Sequence, residues 1–483
     1  MISRLLVVCA AMNLATGAAF ADSSLENNVK KMLKPYGNRV SFSLRDLNGR
    51  ELFNVNGSTP LAPASVAKLV STACGLWALE PQHQFETVFG YRGKIEKDTL
   101  KGDLVIAGNG DPSLVIEDLR EVIEKLRYLH DIKTIEGDLV FDVSYLGSKG
   151  LEIAAGFEGD AGRSFTALLT ATPMNQNSFS FWVVPPRPGD KSTRALTLPA
   201  NVLDIRLNNQ ARLGGDGISV AYDPSAKSAT ISGGVSAGGE PKGLYRSVPD
   251  TYDYYTRLIQ RLWKDAGGNW KQANYKIETQ PVKSTLLWKH TSKALSRILM
   301  DINKLSLNFG AELVFLAAGA EKKGKPASFE KSMAMLNECL AEFKVPAGSI
   351  VMTNASGLSR ETQVQSSALT RFLMDYYQSA YGPEYLSSLS LLGRDGTARS
   401  RLTKFAGRGR LKTGTLRDVR SVAGYLYSKG RQPFAFSLIF NGVSMSDQKV
   451  KALEDKVIET VLEADLGSRP MIEANVSQKS EAQ

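Results

Sequence analysis

The spacing of apolar positions changes along this chain, and the changes divide it into segments. Leu25, Val29, Met32 and Leu33 recur three and four apart, which predicts a helix over 25–35. Val40–Leu44 and Glu51–Val55 alternate instead, and Asp46-Leu-Asn-Gly49 between them supplies turn residues, so this pair predicts a hairpin. Residues 64–79 are apolar over a helical length, interrupted at Gly75 and closed before Pro81. From about 86 to 283 the pattern shifts to short β-like runs with many glycines, and the clearest helices there are Asp118–Leu129 and Tyr252–Ala266. Gly102-Asp-Leu-Val105 and Gly137-Asp-Leu-Val140 repeat one strand signature. Two copies point to related strands, not to a repeat array.

Helical texture returns over 291–318, where Leu295, Ile298, Leu299 and Ile302 make one apolar face, and continues through 328–343 and 366–380. Leu411–Thr415, Ser421–Tyr427 and Pro433–Asn441 then read as successive strands, and a last helix covers about 446–465. A helix and hairpin at the start, with strands and a helix at the end, predict one domain closed from both termini. That domain takes 22–85 and 284–468, and the β-rich stretch 86–283 is inserted into it as two small subdomains. The polar tail 469–483 is expected to be disordered. The pattern therefore predicts an α+β (mixed α/β) fold class with a large β-rich insertion.

At 483 residues, 43% hydrophobic and 22% charged, the chain can bury more than one core. The first 21 residues have their own character. Arg4 precedes the apolar run Leu5–Met12, and Ala19-Phe20-Ala21 offers a small-x-small cleavage site. This predicts a secretory signal peptide, with an uncleaved anchor as the alternative, and a mature protein that is secreted and periplasmic. The 59 basic residues exceed the 49 acidic ones. Such an excess suits an anionic surface such as a cell wall or acidic lipid, or is simply a solvated basic face. No arginine-aromatic cluster or zinc-type spacing supports a nucleic-acid partner or a metal. Cys9 leaves with the leader, so Cys74 and Cys339 remain. They can pair in an oxidising compartment, but the apolar helical setting of Cys74 favours a buried free thiol.

The chemistry lies in three short motifs in order. Ser65-Val-Ala-Lys68 opens the apolar helix, Ser306-Leu-Asn308 sits mid-chain, and Lys412-Thr-Gly-Thr415 begins the strand series. Residues three apart share a helix face, so Lys68 can reach the Ser65 hydroxyl. An ordinary lysine, with a pKa of about 10.4, is no base at neutral pH. Burial and a second cation, Lys412, would lower it. Ser65 then becomes a nucleophile, and the helix N-terminus favours a developing oxyanion. Lys412 and the hydroxyls of Thr413 and Thr415 can hold a carboxylate, Gly414 permits close approach of substrate backbone, and the N–H of Thr415 completes an oxyanion pair. Ser306 and Asn308 would relay protons and orient the substrate amide. Each motif has a bland reading when taken alone. Ser328-Phe-Glu-Lys331 and Ser446-Asp-Gln-Lys449 also match the first motif, and both read as helix caps. His83, His130 and His290 lie outside any nucleophile-elbow context, which argues against a serine-histidine-carboxylate triad.

The ordered trio is a signature of penicillin-binding proteins and class A β-lactamases. Over nearly the whole mature length the chain resembles the low-molecular-mass class C penicillin-binding proteins, the D-alanyl-D-alanine carboxypeptidase/endopeptidase family. Gly108-Asn-Gly-Asp-Pro-Ser113, Asp142-Val-Ser-Tyr145 and Ser356-Gly-Leu-Ser-Arg360 resemble further family segments, and the long insertion is a family trait. The resemblance implies a serine β-lactamase/D,D-peptidase-like domain, an antiparallel sheet flanked by helices. It also implies Ser65 as acylated nucleophile, Lys68 as base, Ser306 and Asn308 as second motif and Lys412 as third. Leu307 replaces the usual polar residue of the second motif and should point away from the site. Asn354-Ala355 replaces Asp-Gly, and Gly156–Arg163 lacks the tryptophan of a segment thought to read diaminopimelate, leaving Glu158 or Asp160 as substitutes.

The implied activity is serine D,D-carboxypeptidase or D,D-endopeptidase action on peptidoglycan peptides, without a cofactor, with β-lactam antibiotics as covalent inhibitors. The alternatives are a β-lactamase or esterase on the same scaffold and a non-catalytic wall-binding scaffold. A homodimer and peripheral membrane contact stay open.

Overall fold

The computed structural model describes residues 25–464 and 466, apart from 154–161, 188–189, 191, 272–273, 430–431 and 444. The predicted leader 1–21, the tail 469–483, and Glu158 and Asp160 lie outside the described residues. A six-stranded antiparallel sheet joins the two ends of the chain. Its order is Glu51–Val55, Val40–Asp46, Pro433–Asn441, Val419–Tyr427, Gly409–Leu416 and Ser390–Leu391. Val40 faces Phe440 and Leu44 faces Phe436, so the N-terminal hairpin is zipped onto the last strand. Val40, Phe42, Leu44, Phe436 and Phe440 pack on one face with Leu25, Val29 and Leu33 of the first helix and Val457 and Val461 of the last. On the other face Ser437 Oγ donates to Ser366 Oγ at 3.1 Å, and Tyr425 Oη donates to the Leu373 carbonyl at 2.7 Å. Covering both faces explains why the central strands are buried along their length, without the alternation of a half-exposed sheet.

The Lys68–Leu79 helix is buried at every position except Trp77, as expected of a helix that is apolar all round. Gly75 does not interrupt it. A Cβ there would lie 2.8 Å from Val314 Cγ1, so the glycine admits the neighbouring Asn308–Lys323 helix at close range. Cys74 and Cys339 are disulfide-bonded, which overturns the free-thiol expectation. The bridge ties the Lys68–Leu79 helix to the Phe329–Glu342 helix. Helical periodicity told which face Cys74 shares but not which helix that face meets.

Residues 291–318 are not one helical run. Leu295–Leu305 ends at Ser306, which caps it in the left-handed conformation at φ 61°, and Asn308–Lys323 starts afresh. A non-glycine residue held there costs about 1 kcal/mol, a strain the surroundings must enforce. The second helix serves two cores. Leu313 and Leu316 face the inserted region, whereas Val314, Phe315 and Ala318 face the Lys68–Leu79 helix.

The stretch from residue 86 onward is built on a seven-stranded sheet that includes Glu86–Glu96, Thr99–Gly108 and Leu139–Asp142. The two repeated strand signatures lie side by side in parallel, with Leu104 opposite Leu139 and Val105 opposite Val140. Thr285–Thr291 pairs with Glu86–Glu96 and carries this sheet past residue 283. Smaller sheets of three and four strands, between Ser178 and Ser247, complete the region. Pro60–Leu61 pairs with Gln363–Gln365, which brings the 350–365 segment against the turn that carries Ser65.

Candidate active site

Ser65 sits in a single 3-10 turn, Ala64–Ala67, that runs directly into the Lys68–Leu79 helix. The turn is held from two sides. Ala64 is left-handed at φ 47°, and a Cβ on Gly357 would lie 1.9 Å from the Ala64 carbonyl oxygen, so only glycine fits there. From the sheet, Ser421 Oγ donates to the Pro63 carbonyl at 2.5 Å. A Cβ on Gly414 would lie 2.7 Å from that carbonyl and 3.0 Å from the Ser65 nitrogen. The strand bearing Lys412 thus passes in contact with the Ser65 turn because position 414 has no side chain.

Lys68 is fully buried and its ammonium makes three contacts: 2.9 Å to Ser65 Oγ, 2.6 Å to Asn308 Oδ1 and 2.9 Å to the Ser356 carbonyl. Burial pulls its pKa down to about 7, against the opposing pull of Glu312. Near neutral pH a large share of the Lys68 side chains is therefore neutral and able to take a proton. Lys412 is equally buried; burial first, and the Lys68 charge second, hold it well below the usual lysine range. Its ammonium donates to Ser306 Oγ at 2.7 Å and to the Thr413 carbonyl at 2.9 Å.

The two members of the second motif are thus divided between the two lysines. Asn308 is held by Lys68 and Ser306 by Lys412. The left-handed cap at Ser306 makes this division by turning the chain between them. Leu307 is the N-cap residue of the following helix. Thr413 Oγ1 donates to Thr397 Oγ1 at 2.8 Å, and Thr415 is exposed farther along the same strand. Of the rival S-x-x-K matches, Ser328 accepts the Lys331 N–H as a helix cap, and Ser446 stands at an N-cap position.

Sequence reasoning missed Glu312. It is fully buried, with Oε2 accepting the Ala355 N–H at 2.9 Å and Oε1 the Ser356 N–H at 2.8 Å. Burial pushes its carboxyl upward, and those hydrogen bonds and Lys68 oppose the shift. The signal was available: Glu312 lies four residues after Asn308, on the same helix face, and is the lone charge in the buried run Phe309–Ala320. The substituted Asn354 is also buried and accepts the Gly357 N–H at 3.0 Å, bracing the glycine that receives Ala64.

A family model described as "D-Ala-D-Ala carboxypeptidase 3 (S13) family" matches residues 25–462. D-alanyl-D-alanine carboxypeptidase DacB of Haemophilus influenzae is 26% identical over 462 residues, covering 91% of this chain and 92% of the relative. A D-alanyl-D-alanine carboxypeptidase of Actinomadura sp. strain R39 is 26% identical over 423 residues, covering 82% of this chain and 76% of the relative. The crystal structure of penicillin-binding protein 4 from Haemophilus influenzae superposes with a TM-score of 0.74 at 24% identity, covering 90% of this chain and 99% of that one, and supports the fold. With a family model spanning nearly all described residues, the chain belongs to the D-Ala-D-Ala carboxypeptidase 3 (S13) family, among the low-molecular-mass class C penicillin-binding proteins, and is a serine hydrolase.

Proposed function

We propose that Ser65 is the residue acylated by substrate and by β-lactams, with Lys68 as its base and Ser306, Asn308 and Lys412 completing the machinery. The observation that carries this reading is the 2.9 Å contact between Lys68 Nζ and Ser65 Oγ, made by a lysine whose pKa burial brings to about 7. Neutral Lys68 takes the Ser65 proton while the Ser65 oxygen bonds to the carbonyl carbon of a penultimate D-alanine. The N–H groups of Ser65 and Thr415 receive the oxyanion. Lys412, with the hydroxyls of Thr413 and Thr415, holds the terminal carboxylate. Gly414 lets the substrate backbone lie close to the strand. As the C–N bond breaks, Ser306 passes its hydroxyl proton to the leaving nitrogen and takes one from the Lys412 ammonium that donates to it. Terminal D-alanine is released, or the cross-linked neighbouring strand when the acting mode is endopeptidase. Water then cleaves the Ser65 ester, its proton returning through Ser306 to Lys412 while Lys68 gives its proton back to Ser65.

The same reading places the protein outside the cytoplasm, in the periplasm, acting on peptidoglycan peptides. The leader-like sequence 1–21 supports export, and the Cys74–Cys339 bridge suits an oxidising compartment. We read 22–85 and 284–468 as the peptidase unit and 86–283 as accessory to it.

Intact-protein mass after incubation with benzylpenicillin tests the assignment. A persistent adduct of one penicillin, absent from Ser65→Ala, is the expected result. A transient adduct with consumption of penicillin would mark a β-lactamase. A folded wild-type protein that takes no adduct would overturn the assignment and leave a wall-binding scaffold.

A further inference from the structure

Lys68 and Lys412 bring two ammonium groups into one fully buried site, and the proposed machinery supplies no counter-charge for them. Glu312 lies at their back. It starts one turn beyond Asn308, whose side-chain oxygen accepts from Lys68, and both of its carboxylate oxygens are committed to backbone N–H groups, Oε2 to Ala355 and Oε1 to Ser356. The Ser356 carbonyl in turn accepts from Lys68 at 2.9 Å. One peptide segment therefore carries Glu312 on its N–H side and Lys68 on its carbonyl side. Among the described residues, Glu312 from the Asn308–Lys323 helix is the charge that acts on Lys68, Lys68 in turn acts on Lys412 from the sheet, and Lys68 is the charge that acts on Glu312.

Resting on the assignment of Lys68 as base, we propose that Glu312 is a positioning residue: its buried carboxylate is the counter-charge that keeps Lys68 a strong enough base, and its two hydrogen bonds fix the Ser356 carbonyl that steers the Lys68 ammonium. Two hydrogen bonds from N–H donors suit an ionised carboxylate, whose oxygens can only accept. A carboxylate beside a buried ammonium favours its charged form, whereas burial and a second cation favour the neutral form. Without Glu312 the last two act unopposed. Lys68 would then stay neutral at lower pH but would pull the Ser65 proton more weakly, because a base works best with a pKa near the working pH.

The test is the pH dependence of acylation by benzylpenicillin, followed by intact mass, in wild type, Glu312→Gln and Glu312→Asp. Glu312→Gln should move the acid midpoint down by about one pH unit, a tenfold fall in the proton affinity of Lys68, and lower the plateau rate. Glu312→Asp, which keeps the charge, should restore the midpoint. An unmoved midpoint in Glu312→Gln, or an equal shift in Glu312→Asp, would overturn the inference. If Glu312→Gln does not fold, the coupling is read from the other partner. Infrared titration of the buried carboxyl should show it protonating at higher pH in Lys68→Met than in wild type, and identical titrations would overturn the inference. Absence of any Ser65 adduct in wild type would instead overturn the assignment of nucleophile and base.

Discussion

Two clusters of buried charge lie on different sides of the six-stranded sheet, and they handle their charge in opposite ways. At the site Lys68 and Lys412 donate to neutral oxygens, and the anion that acts on Lys68, Glu312, spends its own oxygens on backbone N–H groups. Behind the sheet Arg401 donates through Nη2 to Glu454 at 3.0 Å and through Nε to Asp455 at 2.7 Å, locking the 399–402 segment to the last helix. Arginine cannot give up its proton, so that cation can only hold or break. Lysine can give one up, and a buried lysine facing a hydroxyl is poised to do so. Buried charge that is directly paired builds the molecule; buried charge without an ion pair marks the place where protons move.

The largest expected effect separates the clusters by activity. On the proposed assignment, Lys68→Ala should slow acylation of Ser65 by about a thousandfold or more, because it removes the proposed base. The folded protein should persist, because Glu312, though it loses its counter-charge, keeps both backbone N–H partners and can take up a proton. Arg401→Ala should do the reverse. It leaves Glu454 and Asp455 without their cation and should cost about 3–5 kcal/mol of stability, as for a broken buried pair. The acylation rate per folded molecule should stay at the wild-type level. Urea denaturation alongside penicillin acylation checks both, and an Arg401→Ala protein that is stable but slow would erase the distinction. Next in size is the disulfide. Paired Cys74→Ala and Cys339→Ala substitutions should cost about 2–5 kcal/mol, because the bridge closes a long loop, and should be read as a lower urea midpoint.

Much of this contrast was legible in the sequence, and the limits are physical. The three motifs, the terminal strands that close the sheet and the helix-capping role of Ser328 follow from local spacing, which a single chain segment carries. What could not be read is set by contacts between segments. The partner of Cys74, the glycine contact of Gly75 with Val314 and the reach of the second sheet to Thr291 each depend on which element lies across the core. The break at Ser306 was hidden because its flanks are both good helix; a left-handed serine is imposed by its surroundings, not by propensity. Glu312 was visible as a charge in an apolar run, but its partners, the Ala355 and Ser356 N–H groups, come from a loop distant in sequence.

The smallest effect is the sharpest test of the comparison, because the clusters should answer pH with opposite signs. Burial holds Lys68 at about 7 in the folded protein, well below an unfolded lysine at about 10.4. Between those values the unfolded chain binds more protons, so stability should rise with pH above 7. Burial, opposed by Arg401, holds Glu454 up at about 7, above an unfolded glutamate at about 4.3. Its Oε1 has no hydrogen-bond partner among the described residues, which leaves the ionised form poorly served. Between 4.3 and 7 the folded state binds the extra proton, so the contribution of Glu454 should fall as pH rises through that window. Each group changes stability by at most about 1.4 kcal/mol per pH unit inside its window. Urea denaturation from pH 5 to 9 should therefore show a dip near neutrality. Lys68→Met should reduce the alkaline rise, leaving the part that buried Lys412 contributes, and Glu454→Gln should reduce the acid-side fall, leaving the part that buried Glu312 contributes. If one substitution flattened both sides, the two clusters would be a single coupled system, and the division between holding charge and moving protons would fail.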